Sequence, residues 1–136
     1  MHALETVLSL PTPAMYLCLG DHLRAAVDSL GIEGLPQIER ILWLGHELES
    51  AMCRGGLHDY SISPAWEHAA LAIRAIAELG APRSAEILHD AIAAREAGDF
   101  VEFDKLSALM ARVQEDLQGL ICDYARRHRA ELLKVQ

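Results

Sequence analysis

Apolar residues recur every three or four positions along most of the chain, the spacing expected of helices that bury one face. From Ala14 to Leu30 the set Met15, Leu19, Leu23, Ala26, Val27 and Leu30 keeps this rhythm, and Gly31 stops it. Pro36 then stands in the first turn of a second helix, whose inward positions Ile38, Ile41, Leu42, Leu48 and Met52 lead to the adjacent Gly55 and Gly56. Two glycines offer positive φ, so the pair reads as a helix stop.

Ser63 is positioned to cap a third helix, with Pro64 at its first position, Trp66, Ala69, Ala70, Ile73 and Ile76 on one face, and Gly80 at its end. Arg74 and Glu78, four residues apart, read as an exposed pair. After the turn Gly80-Ala81-Pro82 a fourth helix covers Ser84 to Arg95, with Ala85, Leu88, Ala91 and Ile92 inward and Glu86 and Asp90 outward. Phe103, Leu106, Met110, Val113, Leu117, Leu120, Ile121 and Tyr124 predict one long C-terminal helix from about Glu102 to about Glu131. Gly119 inside it predicts close packing against another helix, since an interior glycine costs up to about 1 kcal/mol relative to alanine. Together these elements predict a single compact all-α domain over residues 1–136, of five to six helices.

Composition agrees: the chain is 51% hydrophobic and 5% aromatic, and alanine and leucine favour helix where β-branched runs are scarce. Its net charge of −8 is uneven. Arg126, Arg127, Arg129 and Lys134 oppose Glu131 in the last eleven residues, which are therefore +3 and leave −11 for residues 1–125. An acidic body gains nothing from displacing counterions on DNA, so direct nucleic-acid binding is disfavoured and basic partners are favoured. The plainer reading of the same charge is that it keeps a bacterial-looking protein soluble.

Cys18, Cys53 and Cys122 are odd in number and form no Cys-x-x-Cys pair, which fits reduced thiols rather than a disulfide framework. No window approaches the roughly 20 apolar residues of a membrane span, and no basic leader precedes Pro11 and Pro13, so a cytoplasmic location is expected.

Candidate chemistry is sparse. Arg54, His58, Asp59 and Tyr60 crowd the Gly55-Gly56 pair, but phosphate loops place their glycines at a helix N-terminus, and these follow a helix end. His46, Glu47, Cys53 and His58 are the densest group of metal-ligating types, yet four residues beyond His46 stands Ser50, so no zinc pair forms on one face and no metal or other cofactor is expected. No serine or cysteine has a local histidine and acid to activate it. Residues 64–97 have helix-turn-helix proportions, but the second helix presents Glu86 and Asp90 where a DNA reader needs Arg, Lys, Asn or Gln.

Charge patterning is more informative. Glu78, Glu86, Asp90, Glu96, Asp99, Glu102 and Asp104 face only Arg83 and Arg95 in that stretch. Duplex DNA carries one charge per about 1.7 Å of axis, a pattern that carboxylates on rigid helices can approximate.

The order Leu48-Glu49, Arg54-Gly55-Gly56-Leu57-His58-Asp59-Tyr60, Ala69 to Ile76, then Leu79-Gly80-Ala81-Pro82-Arg83-Ser84-Ala85-Glu86-Ile87-Leu88 resembles the DNA mimic protein 19-like domain family, over about Ile38 to Glu131. That family typically has Asn-Gly-Gly-Phe-x-Gln-Tyr or Phe; Gly55, Gly56 and Tyr60 match, while Arg54, Leu57 and Asp59 depart and remove amide side chains and an aromatic anchor. The resemblance implies an all-helical domain without enzymatic activity, one type of which covers the DNA-binding face of a regulator with an acidic surface. The leading expectation is a non-enzymatic acidic interaction protein that binds a basic or DNA-binding protein. A small-ligand or enzymatic role at the Gly-Gly loop and an immunity-type protein that neutralises a basic toxin are the alternatives, and a homodimer stays open.

Overall fold

The computed structural model describes residues 3–134, and among these every regular element is helical. Nine α-helices and one 3-10 turn follow in order: α1 (Leu4–Val7), α2 (Thr12–Gly34), α3 (Gln37–Arg54), α4 (Leu57–Ile62), the 3-10 turn Pro64–His68, α5 (Ala69–Leu79), α6 (Pro82–Glu96), α7 (Phe100–Arg112), α8 (Leu117–Arg127) and α9 (Arg129–Lys134). The all-α single domain is as expected, but the helices outnumber the expected five to six. Central α3 packs against α2, α4, α5 and α8. Leu42 and Leu48 of α3, Ile76 and Leu79 of α5, Leu88 of α6 and Ile121 of α8 are among its fully buried side chains.

Gly31 does interrupt the first long helix, at φ 71°, and a short further turn carries the chain to Gly34. The kink changes which residues reach the core. Leu30, expected inward, is 55% exposed, while Ile32 and Leu35 are buried in its place. Arg40 fixes this corner from α3: its Nε donates to the Ile32 carbonyl at 3.2 Å, and Nη2 donates to the carbonyls of Glu33 and Leu35 at 3.1 and 3.0 Å. Those carbonyls lie at a helix end, where intrahelical donors run out; the Ile32 carbonyl also accepts from Leu35 N at 3.2 Å.

The third expected helix begins as a 3-10 turn. Ser63 holds the N-cap position, but its hydroxyl donates back to the Tyr60 carbonyl at 2.8 Å instead of capping forward. With regular helix starting only at Ala69, the buried stripe becomes Ala69, Ala72, Ala75, Ile76 and Leu79, and Ala70 turns outward. Gly80 ends α5 in the left-handed region, its N–H bonding Ala77 O at 3.0 Å and that of Ala81 bonding Ile76 O at 2.9 Å. This paired closure satisfies carbonyls the helix would otherwise leave open. The end of α6 repeats it with Gly98 to Arg95 O at 3.1 Å and Asp99 to Ala94 O at 2.9 Å.

The expected long C-terminal helix is broken into α7, α8 and α9. Helix α7 ends at Arg112, and two carboxylates account for the break at 113–116. Asp116 caps α8 by accepting from Gly119 N at 3.1 Å. Glu115 turns back to the start of α6, where Oε1 accepts from Ser84 N and Ser84 Oγ at 2.7 Å each and Oε2 accepts from Arg83 N at 3.1 Å. A carboxylate at a helix N-terminus meets both unpaired N–H groups and the positive end of the dipole. Gly119 accordingly serves the cap rather than helix packing: a Cβ there would collide with the Asp116 carboxylate. The close helix approaches lie elsewhere, at Gly20 of α2 against His46 and Gly45 of α3 against Leu79 and Ile121.

Candidate protein interaction site

All seven acidic residues singled out from the sequence are exposed. The antiparallel pair α6 and α7 brings five of them onto one hairpin: Glu86, Asp90 and Glu96 on α6, Asp99 in the turn and Glu102 in the first turn of α7. Glu86 and Asp90 lie about 6 Å apart along the axis, one turn from each other. Asp99 also accepts from Glu102 N at 3.1 Å, so it caps α7 while its own N–H closes α6. Countercharge is thin. Arg83 approaches Glu86 only to 3.9 Å, His89 lies 3.2 Å from Asp90, and Glu96, Asp99 and Glu102 form no ion pair within 4 Å among the described residues. Arg95, the other base of this stretch, is drawn back over the rings of Trp66 and Phe103, with centroids 5.7 and 5.9 Å away.

Two of the seven lie apart from the hairpin tip. Glu78 opens into a groove between α3 and α5 that Arg40 and Arg74 share, and Glu78 and Arg74 do not come within 4 Å. Asp104 reaches across from α7 to α4, where His58 Nε2 lies at 3.1 Å. That pair is 58% and 66% exposed, so solvent screens it heavily.

The Gly-Gly segment does not gather its polar neighbours. Tyr60 and Leu57 are fully buried, with Tyr60 set edge-on to Trp66 at 5.8 Å. Burial pushes the Tyr60 phenol above its ordinary range, which holds it neutral. Arg54 is exposed, His58 turns to Asp104 and Phe103, and the Asp59 carboxylate sits over Gly55, where a Cβ would meet it at 2.6 Å. Only Gly56 takes positive φ, at 80°; Gly55 is extended. The pair ends α3 and starts the six-residue α4 together.

Between the Gly-Gly segment, α3 and α7 runs an open groove of about 630 Å³. Its apolar floor is Leu48, Met110 and Leu117; Ala108 and Ala111 of α7 form one wall, and Gly55 and Gly56 form part of another. Its carboxylates are Glu49, Asp104 and Glu115, and neither lysine nor arginine lines it. Glu49 Oε1 accepts from Cys53 Sγ and Gln118 Nε2, both at 3.3 Å. Burial and then Glu49 push the Cys53 thiol up, so it is held protonated and is a weak nucleophile. Sequence reasoning missed this groove because Glu115 was placed inside a continuous helix. Asp116, three residues before Gly119, was the available signal for a new helix start.

The other concentration of polar groups lies between α2 and α3. Arg24, Trp43, His46 and Tyr16 stack in series, with Arg24 5.1 Å from the Trp43 ring, Trp43 5.6 Å from His46 and His46 4.8 Å from Tyr16. Desolvation, then the charge of Arg24, lowers the His46 pKa. Glu47 beside them is pushed up to about 7 by burial, and its Oε1 is buried without a partner. His46 faces α2 and Glu47 lies within electrostatic reach of both Arg24 of α2 and Tyr60 of α4, while Cys53 and His58 line the groove. The four therefore do not come together, and no group of three or more metal-ligating side chains is gathered among the described residues. No helix among the described residues is long and apolar enough to cross a membrane.

An all-helical domain with rigidly mounted surface carboxylates and a half-open acidic groove is the class these observations define. A family model described as DMP19-like protein matches residues 33–128, close to the 38–131 over which the sequence motifs resemble that family. The chain belongs to the DMP19-like protein family. No curated protein and no solved structure matches it.

Proposed function

We propose that this protein is a non-enzymatic interaction protein whose acidic α6–α7 hairpin binds the basic face of a DNA-binding protein and competes there with DNA. The observation that carries this reading is the mounting of Glu86, Asp90, Glu96, Asp99 and Glu102: exposed, short of countercharge, and held by helix-end hydrogen bonds at both sides of the turn. Carboxylates fixed before binding lose little entropy on meeting a partner, and complementary charge accelerates encounter. Membership of the DMP19-like family supports the same direction.

The test is the fourfold variant Glu86→Lys, Asp90→Lys, Glu96→Lys and Glu102→Lys. Asp99 is left in place because it caps α7. Wild-type protein immobilised in extract of the source cell is expected to retain a basic DNA-binding protein that duplex DNA or raised salt releases, since the Debye length is already about 8 Å at physiological ionic strength. Retention of the same partner by the folded fourfold variant refutes the reading. A captured nuclease in place of a regulator points to toxin neutralisation through the same surface.

A further inference from the structure

We propose that the groove between α3, α7 and the Gly-Gly segment receives an arginine-bearing amphipathic segment of the partner protein, adding a shaped subsite to the acidic hairpin. This rests on the reading that the partner is a basic protein. The groove has two properties that a bare acidic surface lacks. Its floor of Leu48, Met110 and Leu117 is apolar, and its walls are small, since Ala108, Ala111, Gly55 and Gly56 leave the space unfilled. Over this floor stand Glu49, Asp104 and Glu115, held by donors that carry no fixed positive charge: Cys53 and Gln118 for Glu49, backbone N–H groups and Ser84 for Glu115, His58 for Asp104.

Glu49 and Asp104 are therefore positioned without a fixed countercharge, Glu115 is offset only in part by the N-terminal end of α6, and no lysine or arginine lines the groove to neutralise them. An occupant must supply positive charge at the rim and apolar surface at the floor. Arginine satisfies both demands with one side chain, because its aliphatic stem lies along apolar surface and its planar guanidinium matches carboxylates. An arginine with a neighbouring leucine or methionine on the same helix face uses the whole groove. Lysine gains less, since its compact ammonium is more strongly hydrated.

The probe is a labelled helical peptide of about 15 residues with leucine on one face and arginine on the other. A control peptide has the leucines replaced by serine at equal charge. Ala108→Trp fills the groove from an exposed position on α7 and leaves every carboxylate intact; Ala111→Trp does the same one turn later and stands in should Ala108→Trp fail to fold. The leucine–arginine peptide is expected to bind wild type at least about tenfold more tightly than the serine control, a difference of about 1.4 kcal/mol. The tryptophan variant is expected to lose that margin, and amide resonances of Gly55, Gly56 and Ser107 are expected to shift on binding to wild type.

Equal binding of the two peptides, or undiminished binding to the tryptophan variant, overturns the groove as a subsite. That result leaves the acidic hairpin untouched, which stands or falls on the fourfold lysine variant. A concentration-dependent dimer of wild type that Ala108→Trp abolishes assigns the groove to a second copy of this chain and also overturns the proposal.

Discussion

Replacing Glu47 by glutamine isolates the cost of a carboxylate that the fold holds partly away from water without a hydrogen-bond partner for Oε1. Burial raises its pKa from 4.5 to about 7 against a smaller opposing pull from Arg24. Each tenfold change in proton affinity is worth about 1.4 kcal/mol, so the full difference is about 3 kcal/mol; part of the side chain reaches solvent, and screening reduces this to about 1–2 kcal/mol. Between pH 4.5 and about 7 the folded protein holds a proton that the unfolded chain has released. Stability therefore falls as pH rises through that window, and the loss is complete above it. His46 contributes with the opposite sign, since a lowered pKa costs stability as pH falls below 6.5. Comparing Glu47→Gln with wild type cancels the His46 contribution. In urea unfolding followed by far-UV circular dichroism, the two proteins are expected to match near about pH 4.5, and the variant to lead by about 1–2 kcal/mol near about pH 8.5. Parallel stability curves across the whole range would refute the reasoning.

Glu115→Ala removes the acceptor for three donors at the start of α6, and urea unfolding is expected to show a loss of about 1–2 kcal/mol, with Glu115→Gln intermediate. Arg40→Ala removes the donor to the Glu33 and Leu35 carbonyls and one of two donors to the Ile32 carbonyl, and is expected to cost about 1–2 kcal/mol, with faster amide exchange confined to residues 31–35. Gly20→Ala drives a methyl into His46; about 1–3 kcal/mol is expected to be lost, with a change in Trp43 fluorescence that Gly34→Ala does not reproduce. His58→Ala breaks a largely exposed pair with Asp104 and an edge contact to Phe103, so a loss of about 0.5–1.5 kcal/mol is expected, most of it from the ring contact, which Asp104→Asn with His58 intact leaves in place.

The elements legible in the sequence were those whose start or stop is written locally. Gly31 and Gly80 fell where the pattern placed them, because a glycine frees the chain for positive φ regardless of what lies around it, whereas α6 starts at Pro82, which the pattern places in the turn before Ser84. The break at 113–116 was hidden because Val113 and Leu117 keep the helical period across it. Its cause is a contact between Glu115 and the start of α6, 31 residues earlier, which no local pattern records. Exposure of the seven carboxylates was readable from amphipathicity; their division between a hairpin, a groove and the α3–α5 face was not, because it depends on how helices cross. Tyr60 shows the same gap, since its place in a polar-looking loop gave no sign that it is a core residue.

The turn between α6 and α7 has a consequence for how such a surface can diversify. Asp99 donates its N–H to finish one helix and lends its carboxylate to begin the next, so the connection contains no spare residue. A length change there would undo two helix ends at once, whereas Glu86, Asp90, Glu96 and Glu102 can be exchanged without touching either. A lineage could thus rewrite its partner preference by point substitution on the hairpin flanks while the apex stays invariant, which makes Asp99 the fixed origin from which the charge pattern is measured.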